Sequence, residues 1–316
     1  MNNKKIITVI GATGAQGGGL ARAILNDSNS NFAVRAVTRY PQSDQAQALA
    51  RLGAEVIVAN LDDPASLDRA FDGAYGAFCV TFFWAHFSPE LELVQAQRMA
   101  QAARKAKLKH VIWSTLEDSR QWVRISDPHI PTLMGKYKVP HMDAKGEANQ
   151  AFVSAGVPST FLLTSFFWEN FIYFGMGPRR GPDGKLAITL PLSGAALAGM
   201  ASEDIGKCAY GIFKREAPLT QEYTGIAGEH LTGWQMAQSM SHAMGEEVIF
   251  NDVPPSVYRS FGFPGAEELG NMFQIEAEHA GEVLGVRGVE ASRKLNPDLQ
   301  SFDTWLAHNK ACIPRI

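Results

Sequence analysis

A glycine-rich loop near the N-terminus is the part of the chain best suited to binding phosphate. It follows the apolar run 6–10 and consists of Gly11, Ala12, Thr13, Gly14, Ala15, Gln16 and Gly17. Glycines at this spacing permit a tight turn and let backbone amides approach a pyrophosphate at the positive end of the next helix. A plain strand-to-helix turn is the alternative, but the position between a strand and a helix favours a dinucleotide-binding loop.

Arg39 stands where the second predicted strand ends, in the sequence VTRYP. Folds that are specific for NAD place an acidic residue at this point, where it bonds the ribose 2′-hydroxyl. A guanidinium can instead pair with a 2′-phosphate and stack on adenine, whereas a carboxylate would repel the phosphate. Arg39 therefore predicts NADP(H) as the cofactor, and a solvated surface arginine is the alternative.

Residues after the third and fourth predicted strands lie at the same edge of such a sheet. Asp63 either borders the adenine or caps the helix that begins near Pro64. Thr81, Phe82 and Phe83 either form a wall at the nicotinamide end or pack in the core. The sequence alone does not decide between cofactor contact and a structural role for either group.

His141 and Lys145 are the candidate catalytic residues. Their spacing of four places both on one face of a predicted helix, so both can reach the same ligand. Lys145 would orient the nicotinamide ribose, and a histidine can donate a proton at neutral pH. The alternatives are a histidine bonded to backbone at the start of the helix and an ordinary surface lysine.

An aromatic and polar segment follows the predicted strand 159–164. Its residues could close over the nicotinamide or form a seam between two lobes, since pockets favour domain interfaces. The residues that we assign to the cofactor here are Phe167, Trp168, Glu169 and Asn170.

Strand-like and helix-like segments alternate through the first half of the chain, which predicts a Rossmann-type doubly wound parallel sheet. We assign residues 1–155 to this NAD(P)-binding domain. Residues 156–316 are predicted to form a smaller α+β C-terminal lobe, with some segments returning to the sheet. Between them, residues 117–140 lack clean periodicity and are predicted to be a long irregular segment, of the kind that is often mobile or functional.

Composition limits the possible partners and the compartment. A net charge of -3 and a pI near 6.3 provide no general attraction to phosphate, so nucleic acid is not expected as a partner. The longest uncharged stretches are interrupted by polar or turn-forming residues, which argues against a membrane span. The 3 cysteines form no metal-binding motif and fit a reducing, cytoplasmic location.

Seven motifs, taken in order, resemble the NmrA-like proteins, which are NADP(H)-binding atypical members of the short-chain dehydrogenase superfamily. They are GATGAQGG, VTRYP, FCVTFFW, HMDAKGE, FFWENF, FPGAEELGNMF and RKLNPDLQSFDTWLAHNK. The last two are more similar to the redox-sensing branch than to the plant reductase-like branch. The resemblance spans nearly the whole chain.

This resemblance implies that a set of residues along the chain contacts NADP(H). They are Gly11 to Gln16, Arg39, Asp63, Thr81 to Phe83, Lys145 and Phe167 to Asn170. The resemblance also exposes a departure, because typical short-chain dehydrogenases carry Tyr-x-x-x-Lys where this chain has His141 and Lys145. We therefore expect an NADP(H)-binding regulatory or redox-sensing protein with little or no dehydrogenase activity, in which residues 117–140 act as the switch. The alternatives are an NADPH-dependent reductase of a small carbonyl or quinone-like acceptor and, less favoured, a structural module that has lost its ligand.

Overall fold

The computed structural model describes residues 4–215 and 221–315. Its strands are β1 (Lys5–Val9), β2 (Phe32–Thr38), β3 (Glu55–Val58), β4 (Gly76–Cys79), β5 (His110–Thr115), β6 (Ser159–Leu163), β7 (Phe166–Phe167), β8 (Arg179–Arg180), β9 (Leu186–Leu190), β10 (Ala196–Met200), β11 (Glu222–Gly225), β12 (Glu229–Thr232) and β13 (Val248–Asp252). Its α-helices are α1 (Ala15–Asn26), α2 (Asp44–Arg51), α3 (Pro64–Phe71), α4 (Pro89–Lys105), α5 (Pro140–Ala155), α6 (Asn170–Tyr173), α7 (Ser202–Phe213), α8 (Gly233–Met244), α9 (Pro255–Arg259), α10 (Ala266–Glu278), α11 (Ala280–Val286), α12 (Val289–Leu295) and α13 (Phe302–Asn309).

A 7-stranded sheet forms the centre of the molecule, in the order β11-β6-β5-β4-β1-β2-β3. All neighbouring strands in it are parallel. The strand order reverses between β1 and β4, and ligands of open α/β sheets bind in the crevice that such a reversal opens at the carboxyl ends of the strands. The predicted Rossmann-type fold is confirmed, and it directs attention to that edge.

Helices cover both faces of the central sheet, which explains why β5 is a continuous buried run. Apolar residues of α1 and α7 pack on one face, and those of α3, α4 and α5 pack on the other. Two strands of the sheet, β6 and β11, lie beyond residue 155, as does α7. The C-terminal half therefore supplies elements to the Rossmann layer, while the division at residue 155 stays a prediction.

Two glycines allow the backbones of α1 and α7 to pack in direct contact. A Cβ atom on Gly19 would lie 2.4 Å from the carbonyl oxygen of Glu203, and one on Gly206 would lie 2.0 Å from the amide nitrogen of Leu20. Any side chain at either position would force the helices apart. The helix that follows the glycine-rich loop is thus fixed directly against an element of the C-terminal half.

A smaller lobe is built around a separate apolar core. It contains two 3-stranded sheets, β12-β10-β7 and β13-β9-β8, and the helices α8, α10 and α13. Trp168, Phe302 and Trp305 pack together in its centre, with Phe302 and Trp305 stacked at a centroid distance of 5.8 Å. The predicted smaller α+β lobe is confirmed.

Residues 117–140 are irregular, as predicted, but buried polar contacts hold them in place. The carboxylate of Asp143 accepts hydrogen bonds from the backbone of Ser119, Lys138 and Val139. Burial raises the pKa of the Asp143 carboxyl group, and these hydrogen bonds oppose the shift. The buried ammonium of Lys138 donates to the carbonyl groups of residues 127 and 130. The segment is therefore tied to α5 rather than attached only at its ends.

Helix α7 begins at Ser202, and Ala201 precedes it without a side-chain cap. Its first turn is acidic, with Glu203 and Asp204 near the positive end of the helix. Within the two described ranges, no helix has the length and apolarity needed to cross a membrane.

Candidate functional site

The glycine-rich loop turns tightly between β1 and α1. Gly11 has a φ of +65°, which favours glycine, and its carbonyl accepts a hydrogen bond from the amide of Gly14 at 2.9 Å. A Cβ atom on Gly17 would lie 2.5 Å from the same carbonyl oxygen, so only glycine fits there. Ala12 is buried, whereas Gly14 and Ala15 are exposed at the start of the helix. Backbone amides at this helix start remain open to an anion.

Gln16 connects this loop to the neighbouring part of the sheet edge. Its side-chain oxygen accepts a hydrogen bond of 2.7 Å from the hydroxyl of Ser114, near the end of β5. Thr13, in the same loop, is partly buried. The contact brings the glycine-rich loop and the end of β5 together at the carboxyl edge.

Arg39 and Asp63 occupy the outer part of the same edge. Arg39 is exposed, with its guanidinium 5.5 Å from the ring centre of Tyr40. No carboxylate within residues 4–215 and 221–315 pairs with it. Asp63 accepts a hydrogen bond of 3.0 Å from the amide of Ala65, so its carboxylate caps α3. Arg39 is thus open to a ligand, while the capping interpretation accounts for Asp63.

A buried polar network surrounds Lys145. Its ammonium lies 2.6 Å from Oγ1 of Thr81 and 3.1 Å from Oε2 of Glu92. Thr81 donates from the same Oγ1 to Oε2 of Glu92 at 2.5 Å. The ammonium also lies 5.3 Å from the ring centre of Trp113. The structure therefore brings together Thr81 and Lys145, which the sequence analysis had assigned separately.

The two phenylalanines after β4 have different environments. Phe82 is 58% exposed, whereas Phe83 is buried in a cluster of rings. The ring of Phe83 lies 5.5 Å from Trp84 and 6.0 Å from His141. Phe82 is thus available to a ligand, and Phe83 forms the wall against which His141 rests.

His141 forms a buried pair with a glutamate of the C-terminal lobe. Oε1 of Glu268, on α10, accepts from Nδ1 of His141 at 2.7 Å and from its backbone amide at 2.5 Å. The side chains are 8% and 6% exposed, respectively. With Glu268 ionised, Nδ1 carries the proton, and no partner for Nε2 is found among the described residues. The imidazole also lies 5.0 Å from Trp84, ring centre to ring centre.

Further ionisable groups of the C-terminal half reach the same region. Arg287 is buried and forms two hydrogen bonds, of 2.5 and 2.7 Å, with the carboxylate of Glu117, just beyond β5. Glu276, on α10, is partly buried close to this pair and to His141. Burial raises the pKa of Glu276 to about 7, with the charge of Arg287 acting in the opposite direction.

The segment after β6 divides between the two lobes. Phe167 is partly buried and packs against the core of the Rossmann layer. Trp168 is fully buried in the second core, and Glu169 accepts from the amide of Ser202 and from Nε1 of Trp305. Asn170 begins α6. The seam interpretation accounts for Trp168 and Glu169, and their assignment to the cofactor stays a prediction.

Sequence reasoning missed Glu92 and Glu268. Both occur among buried positions of their helices, with Gln95, Ala96 and Met99 on α4 and with Leu269 and Met272 on α10. A glutamate within the apolar stripe of a helix is rarely buried without a partner. That pattern could have marked both residues, although it could not have named their partners.

The chain is similar to known proteins over nearly its whole length. The model of the NmrA-like family matches residues 3–306. An NmrA-like family domain-containing oxidoreductase of Penicillium ochrochloron, ptmS, is 24% identical over 344 aligned positions that cover 98% of each chain.

Solved structures of similar fold include proteins with two kinds of role. NmrA, a negative transcriptional regulator, in complex with NADP has a TM-score of 0.76 and 23% identity, with 96% of this chain and 94% of that chain covered. Its complex with NAD gives a TM-score of 0.76. Triphenylmethane reductase of Citrobacter sp., in complex with NADP(H), has a TM-score of 0.74 and 18% identity, with 96% and 99% covered. Because the family match spans nearly the whole chain, the protein belongs to the NmrA-like family.

Proposed function

We propose that this protein binds NADP(H) at the carboxyl edge between β1 and β4 and reduces a small carbonyl or quinone-like acceptor. His141 is the proton donor in this proposal. The observation that carries it is the buried pair of His141 and Glu268, which replaces the tyrosine of typical short-chain dehydrogenases.

The features that support the cofactor lie along one edge. Because Gly17 has no Cβ, the start of α1 packs directly against the backbone of Gly11 and the loop stays tight, and Arg39 has no carboxylate partner among the described residues. NADP(H) would place its pyrophosphate on the loop, its 2′-phosphate on Arg39 and its nicotinamide ribose near Lys145. NmrA in complex with NADP and triphenylmethane reductase in complex with NADP(H) have similar folds, which supports the choice of cofactor.

The contact with Glu268 supports this role for His141. An ionised Glu268 holds the proton on Nδ1 and fixes the ring, so that any second proton that the ring takes up lies on Nε2. NADPH, when bound, supplies a hydride to the acceptor. His141 donates its Nε2 proton to the acceptor atom that gains negative charge, becomes neutral and recovers a proton from solvent.

A regulatory role is the second candidate, and the likeness to NmrA over 96% of the chain favours it. In that role, cofactor binding would change a surface seen by a partner. Residues 117–140 are a poor switch, because Asp143 and Lys138 hold them in place. A sensor without turnover also has no evident need for an oriented imidazole.

The experiment has two stages. Calorimetric titration of cofactor-free protein with NADP, NADPH, NAD and NADH should show tighter binding of the phosphorylated pair. The NADPH complex is then mixed with carbonyl and quinone acceptors, and oxidation is followed by absorbance for the wild type, His141→Gln and the exposed control His242→Gln. Turnover lost only in His141→Gln supports the reductase. Tight binding without turnover supports the regulator, and no dinucleotide binding contradicts both.

A further inference from the structure

Glu92 is a buried carboxylate that the proposed reaction does not use directly. Its side chain is 0% exposed, on α4, and Oε2 contacts both Oγ1 of Thr81 and the ammonium of Lys145. A buried charge without a partner is costly, and Lys145 at 3.1 Å is the cation that balances it.

The other carboxylate oxygen faces a histidine whose tautomer can be deduced. Nδ1 of His86 accepts a hydrogen bond of 3.0 Å from the amide of Ser88. The proton of neutral His86 must therefore reside on Nε2, which lies 3.5 Å from Oε1 of Glu92. Neither of these two atoms forms a hydrogen bond within the described residues, so this contact at ion-pair distance is the interaction found for them. Glu92 thus presents one oxygen to Lys145 and the other to an N–H group.

The ammonium of Lys145 is restrained from several directions. Thr81 contributes its hydroxyl at 2.6 Å and its backbone carbonyl at 3.3 Å, and the ring of Trp113 lies on another side. Thr81 itself is fixed by donating to Glu92. A lysine has a long flexible side chain, so this cage determines where its charge is held.

We infer that Glu92 is a positioning residue for the cofactor: it holds the ammonium of Lys145 in place beside the nicotinamide ribose, and His86 faces its second oxygen. This inference rests on the proposed NADP(H) binding. In this inference Glu92 affects binding of the nicotinamide half of the cofactor through Lys145, without contacting the dinucleotide itself.

The test measures binding of the whole cofactor and of one half of it. Adenosine 2′,5′-bisphosphate carries the adenine and the 2′-phosphate but no nicotinamide ribose, so it reports on Arg39 and on the fold. Glu92→Gln should weaken NADPH about tenfold, as expected for loss of a charge-assisted contact. Its Kd for the bisphosphate should stay within about twofold of the wild type. Glu90→Gln, exposed on the same helix, is the matched control and should change neither Kd.

A double-mutant cycle separates positioning from general damage. If Glu92 acts through Lys145, the variant Glu92→Gln/Lys145→Met should bind NADPH as weakly as Lys145→Met alone. Lys145→Met should also lower the Tm, because it leaves the Glu92 charge buried, and adding Glu92→Gln should restore part of that loss.

The outcomes distinguish this inference from the proposed function. Wild-type protein that binds neither NADPH nor the bisphosphate contradicts the proposed function. Binding of both by the wild type and equally by Glu92→Gln overturns the inference and leaves the proposed function intact. Additive effects in the cycle overturn it as well. If Glu92→Gln does not fold, His86→Gln in the partly exposed segment before α4 replaces it and should weaken NADPH selectively.

Discussion

Helix α5 carries the two candidate catalytic residues, His141 and Lys145, one turn apart. Their side chains contact residues from different halves of the molecule. Lys145 is held by Thr81 and Glu92, which come from the end of β4 and from α4 of the Rossmann layer. His141 is held by Glu268, from α10 of the C-terminal lobe. Under the proposed function, the N-terminal half would position the cofactor, and the C-terminal lobe would orient the proton donor.

The largest expected effect is that of a substitution at His141, which should lower turnover without weakening NADPH binding. His141→Gln should lower kcat for NADPH oxidation about a hundredfold or more, because it removes the proton donor. Its Kd for NADPH should remain near the wild-type value, since Lys145 and its partners are unchanged. Steady-state kinetics and calorimetry measure the two quantities. If NADPH binding were lost to the same extent as turnover, His141 and Lys145 would not have separate roles.

Glu268→Gln should give a smaller loss of turnover. The amide oxygen can still accept from the backbone and from Nδ1 of residue 141, but without a charge it holds the ring less strongly, so kcat should fall about tenfold. Glu267→Gln, the exposed neighbour on α10, is the matched control. If both variants retain full kcat, the C-terminal lobe has no part in proton donation.

The smallest effect concerns stability on the C-terminal side. The pKa of Glu276 is raised by burial to about 7, so the folded state favours the protonated carboxyl group. An unfolded glutamate ionises near its ordinary value of 4.5, so this group's contribution to stability falls as pH rises through the window from 4.5 to about 7.

Glu276→Gln cannot ionise and should escape this loss. Relative to the wild type, its free energy of unfolding should therefore increase between pH 5 and pH 8, by about 1 kcal/mol or more. Urea unfolding at both pH values measures the change, with Glu267→Gln as the control. An unchanged difference between the two pH values would contradict the raised pKa.

Local patterns predicted the parts of the candidate site whose position depends on a single strand. The glycines after β1 and Arg39 after β2 lie at the strand ends where spacing and position predicted them, and their role in cofactor binding stays a prediction. Glu92 and Glu268 act across the fold, 53 residues before Lys145 and 127 residues after His141 respectively, and no spacing rule joins such positions. Tertiary packing alone brings each glutamate to its partner.

The motif HMDAKGE also shows that sequence spacing does not identify the tertiary partners of a side chain. Its histidine and lysine were assigned to chemistry, and Asp143 between them received no role. In the structure Asp143 points to the other side and fastens residues 117–140 through buried hydrogen bonds. The sequence did not predict this attachment, because an irregular segment gives no sign of a distant acceptor for its amides.

The place of β11 at the edge of the central sheet has a consequence for biosynthesis. The strand pairs with β6, yet it is reached in sequence only at Glu222, long after the other six strands have been made. A nascent chain that has emerged from the ribosome as far as β6 therefore carries an uncovered sheet edge, and it also lacks α7, which covers one face through Gly206. The central sheet of this protein must therefore be completed late in synthesis, by residues of its second half.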